Sequence, residues 1–448
     1  MSLDAPSQAS PPITSIEQLV DWLRVGEKPA ETHRCGVETE KIGVLDDSGD
    51  AVPLTGERSI ARILEGISKR TGGQLLVENE VPIGVQLDNA SVALEPGGQL
   101  ELSGAPATDV DASRREIDEH LRAVRELSEP LKLSWLAIGY RPFGNRAAVP
   151  WLPRGRYGLM RQRLPGQYAH EMMQMTASVQ ANFDFADEAD LAAKVGTATA
   201  VSPIVAAMFA NSPLRNGQPA GVKSFRYYLW RDVDDSRSGL LRVMFEPGFT
   251  YKRYLEWAFS APLLFVRRQG RYLDPEGRTF NDVLRDGFAG EPATMQDFVD
   301  LLSTLFPEIR VKRVIEVRGA DAVDARTTVA LPALWTGLLY DRTACLEARA
   351  LMDVSFEELI AFQREVGVSA LDARTKSARA QDLAKELLRI ADDGLRRRFE
   401  AGVAQDERPL LEPLREIVAT GRTRADEVLD VFQAKNGDQR ALIEALRY

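Results

Sequence analysis

The chain has 448 residues, 44% of them hydrophobic and 27% charged, with a formal net charge of −10. That length buries a large core and allows two or three domains, and that composition is typical of a soluble globular protein. The acidic balance argues against a general nucleic-acid or anionic-membrane binder, although a locally cationic site can still hold an anionic substrate.

No apolar run approaches the ~20 residues of a bilayer span. Met1–Pro12 is Ser-, Ala- and Pro-rich, with no basic start and no apolar core. It is expected to be a floppy tail rather than a signal peptide, ahead of one folded unit over residues 13–448. Cys35 and Cys345 make no disulfide framework and fit a reduced cytoplasmic setting. The motifs GxxxxGK[ST], GxGxxG and GxSxG are absent, and His33, His120 and His170 lack metal-ligand spacing. These gaps argue against a P-loop ATPase, a Ser-His-Asp hydrolase and a zinc enzyme.

Ser15-Ile16-Glu17-Gln18 is patterned as a capping box opening a helix through Arg24. Gly36–Gly43 reads as a strand that aims Glu38 and Glu40 to one side, roughly 7 Å apart. Such a pair is either an exposed acidic edge or half of a cation site. Gly56–Thr71 is helical by period. Gln74–Glu78, Gly84–Leu87, Ser91–Leu94 and Gln99–Ser103 predict an antiparallel meander, followed by a helix over Ala112–Leu131 and a strand over Leu133–Ile138. Asn145–Gln167 is irregular and arginine-rich, with Trp151, Tyr157 and Met160 embedded, and is expected to be an ordered substrate-facing loop. Met173–Phe185 alternates along its whole length, with Gln174, Thr176, Ser178, Gln180, Asn182 and Asp184 on the polar face. A helix interrupted at Pro203 is expected over Leu191–Ala210 and a loop over Asn211–Gly221. Phe298–Phe306 is helical, and Val311–Val317 reads as a strand with Lys312, Val314, Glu316 and Arg318 on one face. The chain is helical from about 330 onward, so the expected class is α+β.

Four strands therefore present related polar groups: Glu38 and Glu40; Glu95 and Glu101 around Pro96-Gly97-Gly98; Gln180 and Asn182; Glu316 and Arg318. Carboxylates and amide oxygens are hard ligands of the kind Mg²⁺ or Mn²⁺ takes together with substrate phosphates. Two or three ions gripping ATP suit such a set, with Arg318 stabilising charge on a transferring phosphoryl group.

Gly36–Gly43 as GVETEKIG, Leu94–Pro106 as LEPGGQLELSGAP, Met175–Phe185 as MTASVQANFDF, Ser224–Gly239 as SFRYYLWRDVDDSRSG, Val314–Asp321 as VIEVRGAD and Ala330–Asp341 as ALPALWTGLLYD resemble the plant-type glutamate–cysteine ligases, which also occur in bacteria. The resemblance runs from about residue 34 to the C-terminus. It implies a fold like the catalytic domain of glutamine synthetase, a curved antiparallel sheet forming a funnel with helices outside. It also implies the first step of glutathione synthesis: ATP phosphorylates the γ-carboxylate of L-glutamate, and the amine of L-cysteine displaces the phosphate. Carried over by motif, Glu38, Glu40, Glu95, Glu101 and Glu316 would be metal ligands. Gln180 and Asn182 would contact metal or substrate, and Arg318 the phosphate. Arg161 and Arg226 would bind substrate carboxylates, with a salt bridge to the Asp232–Asp235 turn as the rival for Arg226. Lys41 would meet a phosphate or pair with a neighbouring glutamate. Arg156 and Arg163 are open between a site role and plain solvation. Tyr157, Tyr227 and Trp230 are candidates for the cysteine pocket. The plant enzymes carry a redox cysteine where this chain has Val329, so that switch is expected to be absent, with Cys35 and Cys345 as buried reduced thiols. Alternatives are a γ-glutamyl ligase with another amine substrate, or a non-catalytic nucleotide- or metal-binding homologue. Oligomeric state is open between monomer and homodimer.

Overall fold

The computed structural model describes residues 10–448. Most of the expected tail, residues 1–9, lies outside the described residues. The next three residues are tied down: Gln296 N–H donates to Ser10 Oγ at 2.9 Å, and Met295 N–H to Pro11 O at 3.0 Å.

A nine-stranded sheet forms the frame. Its strands are β1 (Cys35–Leu45), β2 (Gln74–Glu78), β3 (Val81–Gln86), β4 (Ser91–Leu94), β5 (Leu100–Ser103), β6 (Leu133–Leu136), β7 (Ser178–Phe183), β8 (Ile309–Val311) and β9 (Ile315–Asp321). They run in the order β8-β9-β7-β1-β5-β4-β3-β2, with β6 also paired to β1. Every pairing in it is antiparallel. The long β1 changes partners along its length: Cys35–Thr39 pairs with β7, Glu38–Lys41 with β5, and Ile42–Leu45 with β6. Glu38 and Glu40 therefore sit at the centre of the sheet and not at its edge.

Helices cover the other face. Ala330–Leu339, buried at every position, packs on β7 and β1, while Glu188–Met208 packs on β9. The latter is long and apolar enough to cross a membrane, but 83% of its apolar window is buried inside the protein, as in a core helix. Pro203 does not interrupt it. Surrounding core contacts outweigh the one hydrogen bond that proline removes.

Three expected elements differ. Met173–Phe185 is not one strand, because Ala169–Met175 is helical and the alternation becomes strand only at Ser178. The arginine-rich loop contains the helix Gly155–Arg163. The expected strand Val311–Val317 is a hairpin in which Val311 faces Ile315 across a tight turn, so Val314 does not share a face with Glu316. In each case a short turn or helix sits inside a run whose residue types alone suit either extended or helical backbone.

Candidate active site

Alternation sends Glu38 and Glu40 to the same side of β1, and pairing sets Glu101 of β5 directly across from Glu40. Glu95 comes from the β4–β5 turn, where its N–H donates to Gln99 O at 3.0 Å and its carbonyl accepts from Gly98 N–H at 2.8 Å. Gly98 takes φ +78° there. A Cβ on Gly97 would lie 2.2 Å from the backbone oxygen of Gln174. The Pro-Gly-Gly turn is thus what returns Glu95 toward Glu101. One carboxylate oxygen from each of Glu40, Glu95 and Glu101 lies within 4.8 Å of the other two.

The electrostatics of this trio follow from burial. Burial, then the charges of Glu101 and Glu40, raise Glu95 well above the usual carboxylate range. Burial and Glu101 push Glu40 up to about 7, despite the charge of Arg226 and the bonds from Ser178. Ser178 donates to Glu40 from N–H at 2.6 Å and Oγ at 3.1 Å, and Gln180 Nε2 donates at 3.3 Å. Glu101 accepts from Ser103 Oγ at 3.3 Å. These bonds orient the oxygens without neutralising them. Hard donors held in mutual repulsion fit a divalent cation such as Mg²⁺ or Mn²⁺.

The other end of the same pocket is built differently. Glu316 is clasped by Arg310, its cross-strand partner on β8, with Lys312 Nζ at 3.0 Å and Arg318 Nη1 at 3.5 Å. Burial pushes Glu316 up, but Arg310, Lys312 and Arg318 hold it well below the usual range. Arg318 Nη1 also donates to Gln180 Oε1 at 2.6 Å. Because the Gln180 amide gives its N–H to Glu40, it links the two ends. Glu38 accepts from Asn182 Nδ2 at 3.0 Å. β7 lies between β1 and β9, and Glu316 pairs with Asn182 whereas Glu38 pairs with Gln180, so the two glutamates are two strands apart and offset in register. The five expected ligands are therefore not one cluster. Three converge, Glu38 is held by an amide, and Glu316 is neutralised by bases.

The pocket, about 930 Å³ including its open mouth, is also lined by Arg156, Tyr157, Trp230 and Phe306. The helix Gly155–Arg163 buries Arg156, Tyr157 and Met160 together. Arg161 falls on the opposite side, exposed and stacked on Trp151 at 5.1 Å, so the expected carboxylate clamp is not Arg161. Arg156 is 6% exposed and faces the pocket, while Arg163 pairs with Asp274. Lys41 does not reach the site. Alternation turns it to the back of the sheet, where it is fully buried and Nζ donates to Thr39 O and Thr39 Oγ1, both at 2.9 Å. Arg226 lines the pocket, but it makes no salt bridge with the Asp232–Asp235 turn. Its guanidinium donates to Arg318 O at 2.8 Å and Gly319 O at 3.2 Å, and lies 3.7 Å from Asp321. Trp230 faces the main pocket, whereas the Tyr227 hydroxyl donates to Glu308 at 2.9 Å behind it. Arg310 reaches Glu316 only through the hairpin turn after Val311, whose residue types are those of a strand. Ser178 was readable from its place on the same alternating face as Gln180. Both cysteines are buried and free, and burial raises both thiols.

The model of Glutamate-cysteine ligase family 2 (GCS2) matches residues 34–445. The chain is similar to the chloroplastic glutamate–cysteine ligase of Medicago truncatula, with 36% identity over 433 residues, 95% of this chain and 84% of the relative. It is similar to glutamate–cysteine ligase A, chloroplastic, of Oryza sativa subsp. japonica, with 36% identity over 434 residues, 96% of this chain and 86% of the relative. Among solved structures, the fold is similar to a glutamate–cysteine ligase from Francisella tularensis in complex with AMP, with TM-score 0.55 and 12% identity over 93% of this chain and 89% of that one. The bifunctional glutathione synthetase from Pasteurella multocida gives TM-score 0.50 and 13% identity over 96% of this chain and 52% of that one. The expected α+β, glutamine-synthetase-like architecture agrees with this likeness. Both of these plant relatives are chloroplastic, which overturns the expected cytoplasmic setting. Two free buried thiols do not distinguish one compartment from another.

Proposed function

The chain belongs to glutamate–cysteine ligase family 2, whose reaction is the first step of glutathione synthesis, and we propose that the two-ended pocket around β1, β7 and β9 is where it joins glutamate to cysteine. The observation that carries the reading is the pairing, in one cavity, of three carboxylates whose oxygens lie within 4.8 Å of one another with a base-rich end. The first suits a metal-bound nucleotide and the second the phosphoryl group in transit.

The reaction needs no protein nucleophile. A glutamate γ-carboxylate oxygen bonds to the γ-phosphorus of ATP, and the bond to the ADP oxygen breaks. The cysteine nitrogen then bonds to the acyl carbon, the carbon–oxygen bond to phosphate breaks, and the nitrogen loses a proton. The work left to the protein is positioning and charge neutralisation.

Residues divide that work by location. Glu40, Glu95 and Glu101 would hold Mg²⁺, or Mn²⁺, which supplies charge neutralisation beside the phosphates. A further ion on Glu38 and Glu316 requires Arg310 and Lys312 to release Glu316. Arg318, oriented by Gln180, meets the transferring phosphate. Arg156 and the pocket-side donors of Arg226 bind substrate carboxylate, a task suited to a guanidinium fork. Tyr157 and Trp230 wall the amino-acid space. All of this lies in one catalytic unit over residues 13–448.

The test is phosphate release from ATP with Mg²⁺, measured with glutamate alone and then with each amino acid added singly. Turnover should require glutamate and rise with cysteine, with γ-glutamylcysteine as the product. ATP cleavage indifferent to glutamate would sink the reading.

A further inference from the structure

Asp321 faces away from the pocket yet is among the most enclosed polar groups of the fold, 1% exposed. Its carboxylate accepts from Ser212 Oγ at 2.7 Å, from Ser224 Oγ at 2.8 and 3.0 Å, and from Asn211 N–H at 2.9 Å. The remaining neighbour is Arg226, with Nη1 at 3.7 Å.

Arg226 carries the connection forward. Its two terminal nitrogens donate to the carbonyls of Arg318 and Gly319. Those are the residues at which β9 breaks register with β7, because Val317 pairs with Ala181 but Ala320 pairs with Val179. Two residues on β9 thus span one on β7, which is a β-bulge. A bulge ends the strict alternation of side chains, so the direction of Arg318 depends on whatever holds those two peptides. Three contacts hold them. Arg226 grips both carbonyls, and Arg318 N–H donates to Glu308 O at 3.0 Å. Gly319 packs so closely that an added Cβ would sit 3.2 Å from Ser202 Oγ and 3.3 Å from Glu308 Oε2. The Arg318 side chain then reaches the pocket at the 2.6 Å contact with Gln180.

We propose that Asp321 is a positioning residue: by fixing the Arg226 fork on the bulge carbonyls, it sets the direction in which Arg318 enters the site. The inference rests on the assignment of Arg318 to the transferring phosphate. A buried carboxylate that orients an arginine works as an outer-shell partner does in a metal site, setting geometry without touching the reacting atoms.

The experiment is a double-mutant cycle on the full-length enzyme with Asp321→Asn, Arg318→Gln and the pair. Asparagine keeps the size of the side chain and an oxygen acceptor while removing the charge that anchors Arg226. For each variant kcat, KM for ATP and for both amino acids, and thermal midpoint are measured. Asp321→Asn should lower kcat roughly tenfold or more and leave KM for ATP within about twofold. Arg318→Gln should lower kcat roughly a hundredfold, and the pair should be no worse than Arg318→Gln alone within about twofold. Near-parental kcat in Asp321→Asn, or a tenfold loss that multiplies in the pair, would overturn the inference. Near-parental kcat in Arg318→Gln would instead remove the phosphate role of Arg318, a separate outcome. Should Asp321→Asn fail to fold, Ser212→Ala replaces it in the cycle, removing one hydroxyl that holds the Asp321 carboxylate, with a smaller kcat loss that likewise disappears in the pair with Arg318→Gln.

Discussion

The two ends of the pocket hold the same functional group in opposite circumstances. At one end Glu40, Glu95 and Glu101 approach one another, with hydroxyl, amide and backbone donors bonded to Glu40. At the other, Glu316 sits among Arg310, Lys312 and Arg318. Strand pairing creates both, since Glu101 faces Glu40 and Arg310 faces Glu316. The lesson is that acidic content does not define a metal site. What matters is the balance of charge the fold sets around each carboxylate: Glu40 and Glu95 are driven up, Glu316 is held down. The acidic end has the donor chemistry that suits a cation. The neutralised end offers cations that can turn from Glu316 to a phosphate.

The contrast is broken most sharply by removing one charge from each end. Glu95→Gln should cost roughly a thousandfold or more in kcat, yet raise the thermal midpoint of the metal-free protein, because it relieves repulsion among buried carboxylates. Added Mg²⁺ should stabilise the parent more than the variant. Glu316→Gln should also lose turnover, but with the opposite effect on stability. Breaking a buried ion pair strands the partner charges, at a typical cost of about 3–5 kcal/mol. Urea unfolding without metal compares the two. Equal shifts in the two variants would mean that the ends do not differ in the way described.

A smaller effect separates two arginines of one helix. Arg156 is buried against the pocket and Arg161 is exposed on Trp151. Arg156→Ala should raise KM for glutamate roughly tenfold or more, and Arg161→Ala should leave it within about twofold. Steady-state kinetics on both variants decides whether this helix presents only one arginine to substrate.

Those arginines also show where the sequence was legible. Period-two alternation placed Glu38 with Glu40 and Gln180 with Asn182, and the structure keeps both pairings. Motif resemblance led to the family, but it gave the substrate carboxylate to Arg161, where the structure turns Arg156 to the pocket. That choice needs the helical phase of Gly155–Arg163, and the segment reads as a loop because of its glycines and prolines. Likewise Arg310 becomes a partner of Glu316 only through a hairpin. A run of Val, Lys, Arg and Ile gives that turn no Asn-Gly or Gly signal. The split of five glutamates into two groups is a property of strand order, with β7 inserted between β1 and β9. Chain order cannot reveal it.

The smallest expected effect lies behind the acidic end, at Lys41. The same alternation that exposes Glu40 to the pocket buries its neighbour, and burial pushes Lys41 down to about 7. Against an ordinary lysine value of 10.5, this side chain contributes fully above pH 10.5, and its contribution is lost as pH falls through 7. Glu40 slopes the other way. Raised to about 7 from 4.5, it is least costly below 4.5, and stability is lost as pH rises through 7. Lys41→Met keeps the length of the buried chain and removes only the first of these slopes. The variant should therefore melt above the parent at pH 6, with the gap narrowing as pH rises past 7 and closing only near 10.5, while kcat at pH 8 stays within about twofold. A large kcat loss with an unchanged melting curve would bring Lys41 back to the phosphate role that its position behind β1 denies it.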